Sequence, residues 1–151
     1  MCTNGGMMKL NRFSVTADLD YSPDSIDSFI TVCEGLISCV TTDPSGRFFL
    51  KNAVDEFTLN SIEHGYRKNT GEITVSIESL GDKIYLEISD HGVGVDPSKV
   101  QMDREARTEE DLKSRGWALS ILNHITNGLN IKPNSPSGAI VSLNIPIPFN
   151  P

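Results

Sequence analysis

The sequence is poor in cysteine, in long apolar runs and in clustered positive charge, and each shortage excludes a class of protein. Its cysteines, Cys2, Cys33 and Cys39, are odd in number and lack CxxC or Cys/His spacing, which argues against a disulfide framework or a zinc site. No apolar stretch approaches the length that spans a bilayer, and residues 1–10 have no signal-peptide core. We therefore expect a cytoplasmic protein with reduced thiols and no membrane partner.

The charge balance argues against nucleic acid as a partner. The 20 Asp and Glu residues outnumber the 13 Lys and Arg residues, so the formal net charge is -7. The basic residues are scattered, whereas a phosphate backbone requires a basic stripe. A chain of 151 residues has the size of one domain that buries about two-thirds of its unfolded surface. We place this domain at residues 11–148, after a disordered N-terminal segment at 1–10.

Hydrophobic periodicity predicts the order of helices and strands. Alternating apolar residues predict strands, and apolar residues three or four apart predict helices. The predicted strands are 12–17, 72–78, 83–89, 129–132 and 139–147, and the predicted helices are 23–40, about 48–64 and 117–126. This order predicts an α+β two-layer sandwich, with a mixed, mostly antiparallel sheet and helices on one face.

Finer features of the chain also lead to predictions. Residues 41–46 read as a loop, and Gly65 reads as the residue that stops the second helix. Pro146 and Pro148 are typical of the end of an edge strand. Residues 95–114 are highly charged with poor apolar periodicity, which is the composition of a mobile cover over a site or of a plain solvated loop.

The first candidate site lies on the second predicted helix, within the stretch DEFTLNSIEHGY. Glu56, Asn60 and His64 are spaced to stack along one helix face, away from the apolar residues that point to the core. A carboxylate and a carboxamide one turn apart can hold Mg²⁺, which prefers oxygen ligands and keeps most of its waters while bridging phosphates. An ordinary amphipathic helix with solvated polar residues has the same spacing.

Two further stretches have the composition of ligand sites. Asp90 ends a predicted strand and is followed by Gly92 and Gly94, which let backbone approach a ligand closely. An acceptor-only carboxylate suits an exocyclic amino group such as that of adenine, although a Gly-rich surface turn would look alike. Residues 115–119, RGWAL, open another apolar helix, whose free N–H groups suit phosphate.

The order of these pieces resembles the Bergerat-fold (GHKL) ATPases, which include gyrase, heat-shock chaperone ATPases, histidine kinases and mismatch-repair ATPases. The N box of that family is matched by Glu56 and Asn60, and its first glycine box, DxGxG, by Asp90, Gly92 and Gly94. Within the family, NSIEHGY followed by two strands looks most like the single-domain anti-sigma-factor serine kinases. The resemblance covers about residues 11–148.

This resemblance implies a site for ATP and Mg²⁺ between the helices and a lid at about 95–115. Asn60 would bind Mg²⁺, and Glu56 would act as the general base or orient a water molecule. Asp90 would take the adenine amino group, with Gly92 and Gly94 shaping the turn beneath the base. The residues that would meet the phosphates are Arg115, Gly116, Trp117 and Ala118.

The implied function is that of a serine/threonine protein kinase of the partner-switching type. Such a protein phosphorylates an antagonist protein, otherwise sequesters a sigma factor, and forms a homodimer. About ten residues precede the first strand, too few for the phosphoacceptor helix of a histidine kinase. Ala118 stands where the family usually has a glycine, so ATP binding is better supported than turnover. The alternative is an interaction module, with or without nucleotide, that regulates a partner without phosphoryl transfer.

Overall fold

The computed structural model describes residues 9–94 and 129–149. Two long helices, five strands and one π-helical turn lie within these ranges. In chain order they are β1 (Arg12–Leu19), α1 (Pro23–Val40), α2 (Pro44–Asn60), the π turn (Ser61–Gly65), β2 (Gly71–Ser79), β3 (Lys83–Asp90), β4 (Asn130–Pro133) and β5 (Ala139–Pro146). The predicted lid, the predicted helix at 117–126 and the N-terminal segment 1–8 lie outside the described residues.

The strands form one sheet in the order β1-β2-β3-β5-β4, and all four neighbouring pairs are antiparallel. One row of apolar residues crosses the whole sheet, from Val15 through Val75, Ile88 and Val141 to Ile131. The helices pack on the sheet, α1 on β1 and β2 and α2 on β3, and the core contains Val75 and Ile88 of this row, with Val15 and Val141 packed against it. The predicted α+β architecture is confirmed, and no parallel pair occurs among the described strands.

The two helices begin with the same capping signal. Ser22 Oγ accepts the N–H of Ser25 at 3.2 Å, and Asp43 Oδ2 accepts the N–H of Gly46 at 3.0 Å; a proline follows each cap residue. The prediction of a loop at 41–46 is therefore wrong from Pro44 onward. Asp43 Oδ2 also accepts the N–H of Phe149 at 2.9 Å, which fastens the end of the described chain over α2.

The second helix does not continue to His64 in α-helical form. It ends at Asn60, and the N–H of Tyr66 then donates to the carbonyl of Ser61 at 2.9 Å, five residues back. The helical segment stops at Gly65, the last residue of the π turn, as predicted, although this glycine does not have positive φ. The left-handed conformations that follow are at Arg67 and Lys68, with φ of 53° and 66°.

The edge-strand prediction for β5 is wrong along its first half. This strand lies between β3 and β4, and β4 pairs with the stretch from Ala139 to Ser142. Beyond Ser142 no described strand covers that side of β5. Pro146, which has no N–H to donate, stands at the end of this stretch, opposite Lys83.

The cysteines follow the expectation of reduced thiols only in part. Cys33 is a free thiol, buried on α1, and burial raises its pKa from about 9.0 to about 12. Cys39, in the last turn of α1, is disulfide-bonded, so the expectation is wrong there. Within the described part of the chain, no helix is long and apolar enough to cross a membrane.

Candidate functional site

The site is built around the carboxylate of Asp90, the last residue of β3, which is only 3% exposed. Ser61 Oγ donates to its Oδ2 at 2.7 Å. The N–H groups of Gly92 and Ala139 donate to its Oδ1 at 3.0 and 3.2 Å. A carboxylate offers about four acceptor positions. These three donors therefore leave about one position, on Oδ2, for a ligand.

The glycines of the DxGxG turn serve a close approach between two protein segments. A Cβ on Gly92 would lie 2.2 Å from the carbonyl oxygen of Gly65, and the N–H of Val93 donates to that oxygen at 2.8 Å. Gly94 has a φ of 92°, in the left-handed region that favours glycine. The turn after β3 thus packs directly on the π turn. This contact between protein backbones is one that the sequence motif did not predict.

The π turn brings the N box next to Asp90. Glu56 is buried on α2, Asn60 is half-buried at its end, and His64 is exposed. A Cβ on Gly65 would lie 3.3 Å from Asp90 Oδ2, so the glycine leaves room beside that oxygen. Asn60 is followed directly by Ser61, the partner of Asp90. The candidate metal ligand and the candidate adenine acceptor are therefore linked by one peptide bond and one hydrogen bond.

The loop between β4 and β5 forms another wall of the site, which sequence reasoning treated only as a turn. Asn134 Nδ2 donates to the backbone carbonyl of Asp90 at 2.8 Å, and Ser137 Oγ donates to that of His91 at 3.0 Å. Gly138 has a φ of 106°, and a Cβ there would lie 2.0 Å from the same Asp90 carbonyl. The sequence signal that could have indicated this wall is the polar loop 134–138, which ends in a glycine directly before β5.

Tyr66 connects the π turn to both ends of the β2–β3 hairpin. Its hydroxyl accepts the N–H of His91 at 2.7 Å and donates to the carbonyl of Glu72. Burial raises the pKa of Tyr66; the bond from His91 lowers it, and the negative charges of Asp90 and Glu72 raise it further. The tyrosine therefore remains a neutral hydrogen-bonding bridge at physiological pH.

A magnesium ion at this site would be held largely by the nucleotide, with few protein ligands. Among residues 9–94 and 129–149, no group of three or more His, Cys, Asp or Glu side chains could hold a metal. Mg²⁺ commonly uses one or two protein oxygens and completes its shell with water and phosphate oxygens. Asn60, with Glu56 one turn earlier, matches that sparse donor set. Arg115, Gly116, Trp117 and Ala118 lie outside the described residues.

A buried aspartate at a strand end, a DxGxG turn and an N-box helix beside it together define a nucleotide-binding domain of the Bergerat type. The sequence model of the family described as "Histidine kinase-like ATPase domain" matches residues 20–145. The chain belongs to this family. Membership of the family implies ATP binding.

Several proteins that the chain is similar to are named "Anti-sigma F factor". One from Clostridium botulinum (strain Eklund 17B) is 28% identical over 95 residues, which is 62% of this chain and 66% of that protein. One from Thermoanaerobacter sp. (strain X514) is 23% identical over 137 residues, 91% of each chain. One from Clostridium kluyveri is 21% identical over 131 residues, 87% of each chain. The similarity is low in identity but extends along most of the chain.

Proposed function

We propose that the protein is a regulatory serine/threonine protein kinase of the partner-switching type, which binds Mg-ATP and phosphorylates an antagonist protein. In its other state it binds a sigma factor, and it acts as a homodimer. The observation that carries the proposal is the buried Asp90 carboxylate, held by Ser61 beside the N-box residue Asn60. The name anti-sigma F factor, which the similar proteins described above carry, supports the choice of partners.

At the base end of the site, the open position on Asp90 Oδ2 accepts a hydrogen bond. The 6-amino group of adenine supplies a donor, whereas the 6-oxo group of guanine presents another acceptor. Ser61 and the two backbone N–H groups already satisfy the rest of the carboxylate. A buried acceptor that faces another acceptor loses a hydrogen bond and gains repulsion. The site therefore selects ATP over GTP.

At the phosphate end, the side-chain oxygen of Asn60 would hold Mg²⁺, which would supply charge neutralisation on the phosphates. Glu56 lies one turn earlier and accepts the proton of the attacking serine hydroxyl. The serine oxygen forms a bond to the γ-phosphorus as the bond from that phosphorus to the β–γ bridging oxygen breaks, and ADP leaves. Contacts from Arg115, Gly116, Trp117 and Ala118 to the phosphates, and closure of a lid at 95–115, remain predictions.

A second candidate function is a binding module that regulates its partner without phosphoryl transfer. It is favoured by Ala118, which stands where the family usually has a glycine. An added methyl group obstructs phosphate if the backbone there must adopt positive φ, and is harmless in a helical conformation. The two candidates share nucleotide binding and differ in transfer.

The test compares a rate defect with a binding defect. Glu56→Gln keeps the size of the side chain but removes its charge, so Mg-ATP should still bind while transfer falls by about a hundredfold or more. Asn60→Ala should instead weaken Mg-dependent binding itself, because Mg²⁺ has few protein ligands here. Matched controls are Glu78→Gln on β2 and Asn52→Ala two turns earlier on α2, where the amide donates to its own helix.

Binding is measured by calorimetry with and without Mg²⁺. Phosphoryl transfer is measured as the label that passes from γ-labelled ATP to an antagonist-domain protein encoded by a neighbouring gene. A wild type that binds no Mg-ATP at millimolar concentration would end the whole proposal. A wild type that binds Mg-ATP but labels no such protein would leave the binding module in place of the kinase.

A further inference from the structure

The Ser61–Asp90 contact links two segments that are 29 residues apart in sequence. Both residues are buried, at 7% and 3% exposure, and the distance from Ser61 Oγ to Asp90 Oδ2 is 2.7 Å. The donors to the other oxygen, Oδ1, are backbone N–H groups. Ser61 is thus a side chain through which substitution can change how the carboxylate is held without changing the carboxylate itself.

The serine hydroxyl determines where the remaining acceptor position points. The lone pairs of a carboxylate oxygen lie near the plane of the group, so a donor on one of them fixes the direction of the other. With Oδ1 occupied by two N–H groups, the open position is on Oδ2, the oxygen that Ser61 holds. The missing side chain of Gly65 leaves space on that side of Asp90.

We propose that Ser61 is a positioning residue that determines base specificity: it aims Asp90 Oδ2 at the 6-amino group of adenine and so rejects 6-oxo purines. This inference rests on the proposed ATP-binding function. A site that is built to pair with one polar group discriminates strongly against a base that lacks it, because a buried partner is then left unpaired. Without the hydroxyl, the carboxylate can rotate or recruit water, and the preference for the amino group falls.

The experiment measures the dissociation constants of three Mg-nucleotide complexes for each variant: ATP, purine riboside triphosphate and inosine triphosphate. Purine riboside triphosphate has hydrogen in place of the 6-amino group, and inosine triphosphate has a 6-oxo group. In the wild type, ATP should bind about ten- to a hundredfold more tightly than either analogue, the factor that a hydrogen bond to a charged acceptor is worth. Ser61→Ala should reduce that ratio by about threefold or more while affinity for the 6-hydrogen analogue changes less than twofold.

Two further variants make the result interpretable. Ser76→Ala removes a serine-to-serine hydrogen bond of 3.0 Å on the face of the sheet opposite Asp90, and should keep the wild-type ratio. Ser61→Cys keeps a similar shape with a weaker donor and should give an intermediate ratio. It also serves as the test if Ser61→Ala does not fold, as judged by thermal unfolding without nucleotide.

The outcomes separate this inference from the proposed function. A Ser61→Ala protein that binds all three nucleotides more weakly by the same factor has only a structural defect, and the inference is then wrong. An unchanged ratio in Ser61→Ala, or in Ser61→Cys where that variant is used, has the same meaning. If the wild type binds none of the three nucleotides, both proposals are wrong. If the wild type prefers ATP and Ser61→Ala keeps the same preference, only the inference about Ser61 is wrong.

Discussion

Replacing Asp90 by asparagine tests whether this side chain recognises the base or only supports the fold. The amide has nearly the shape of the carboxylate, and its remaining oxygen should stay with the N–H groups of Gly92 and Ala139. Its NH₂ group then takes the place of Oδ2, where the Ser61 hydroxyl can turn and accept one N–H. The second N–H points toward the position that we assign to the base.

The expected cost to stability is modest, because the hydrogen-bond geometry survives. Hydrogen bonds to a charged acceptor are worth about 1.5–3 kcal/mol and neutral ones about 0.5–1.5 kcal/mol. Weakening the bonds to Asp90 in this way should lower the unfolding free energy by about 1–3 kcal/mol. For a domain of this size, that corresponds to a fall in melting temperature of about 3–10 °C.

The expected change in binding is larger and has a direction. A donor now faces the 6-amino group, so ATP affinity should fall by about tenfold or more, whereas a 6-oxo base finds a complementary N–H. Asp90→Asn should therefore shift the preference from ATP toward inosine triphosphate. Calorimetry with both nucleotides measures the shift, with Asp18→Asn on the exposed edge of β1 as the matched control. Equal loss of both nucleotides would show that Asp90 acts only through folding.

Two other predictions concern stability. Gly138→Ala should lower the unfolding free energy, measured in urea, more than Gly81→Ala does. Both glycines have left-handed φ, which costs an alanine about 1–2 kcal/mol, but only at Gly138 would the added Cβ meet a backbone oxygen, at 2.0 Å. Equal losses would contradict this packing. Cys33 should resist iodoacetamide at pH 8 until the protein unfolds, because burial raises its pKa to about 12. Relative to Cys33→Ala, the unfolding free energy should fall by about 1.4 kcal/mol per pH unit from pH 9 to 12, since only the unfolded chain then ionises this thiol. Rapid labelling of Cys33 in the native protein would refute the burial of its thiol.

Sequence periodicity predicted β2 and β3 well because each of these strands has one buried face. In β2 and β3, every second residue is apolar, and those residues are fully buried in the structure. Asp90 was predicted as a site residue from its place at the end of such a strand before two glycines, a pattern that a Gly-rich surface turn shares, and its role in binding stays a prediction. Local composition was sufficient for the two strands, β2 and β3.

The π turn could not be predicted from the same information. In a π turn each N–H bonds to the carbonyl five residues back, whereas in an α-helix it bonds to the carbonyl four residues back. The spacing of Glu56, Asn60 and His64 is compatible with an α-helix, so it does not reveal the wider turn. The contacts that select the wider turn come from distant segments. The Ser61 hydroxyl donates to Asp90, the carbonyl of Gly65 accepts the N–H of Val93, and the hydroxyl of Tyr66 accepts the N–H of His91.

A sequence motif identifies only part of this site. Motif positions such as Asp90 are the residues proposed to touch nucleotide, and the family resemblance carries them. The groups that hold Asp90 come from residues 61, 92 and 139; Gly92 belongs to the glycine box, Ser61 lies in the stretch NSIEHGY, and Ala139 belongs to neither. A backbone N–H donor such as that of Ala139 leaves no mark on side-chain identity, so no sequence pattern could have indicated it. Ser61 does leave such a mark, and it lies directly after Asn60. Substitution at this one position therefore tests how the helix that bears the proposed metal ligand also determines the choice of base.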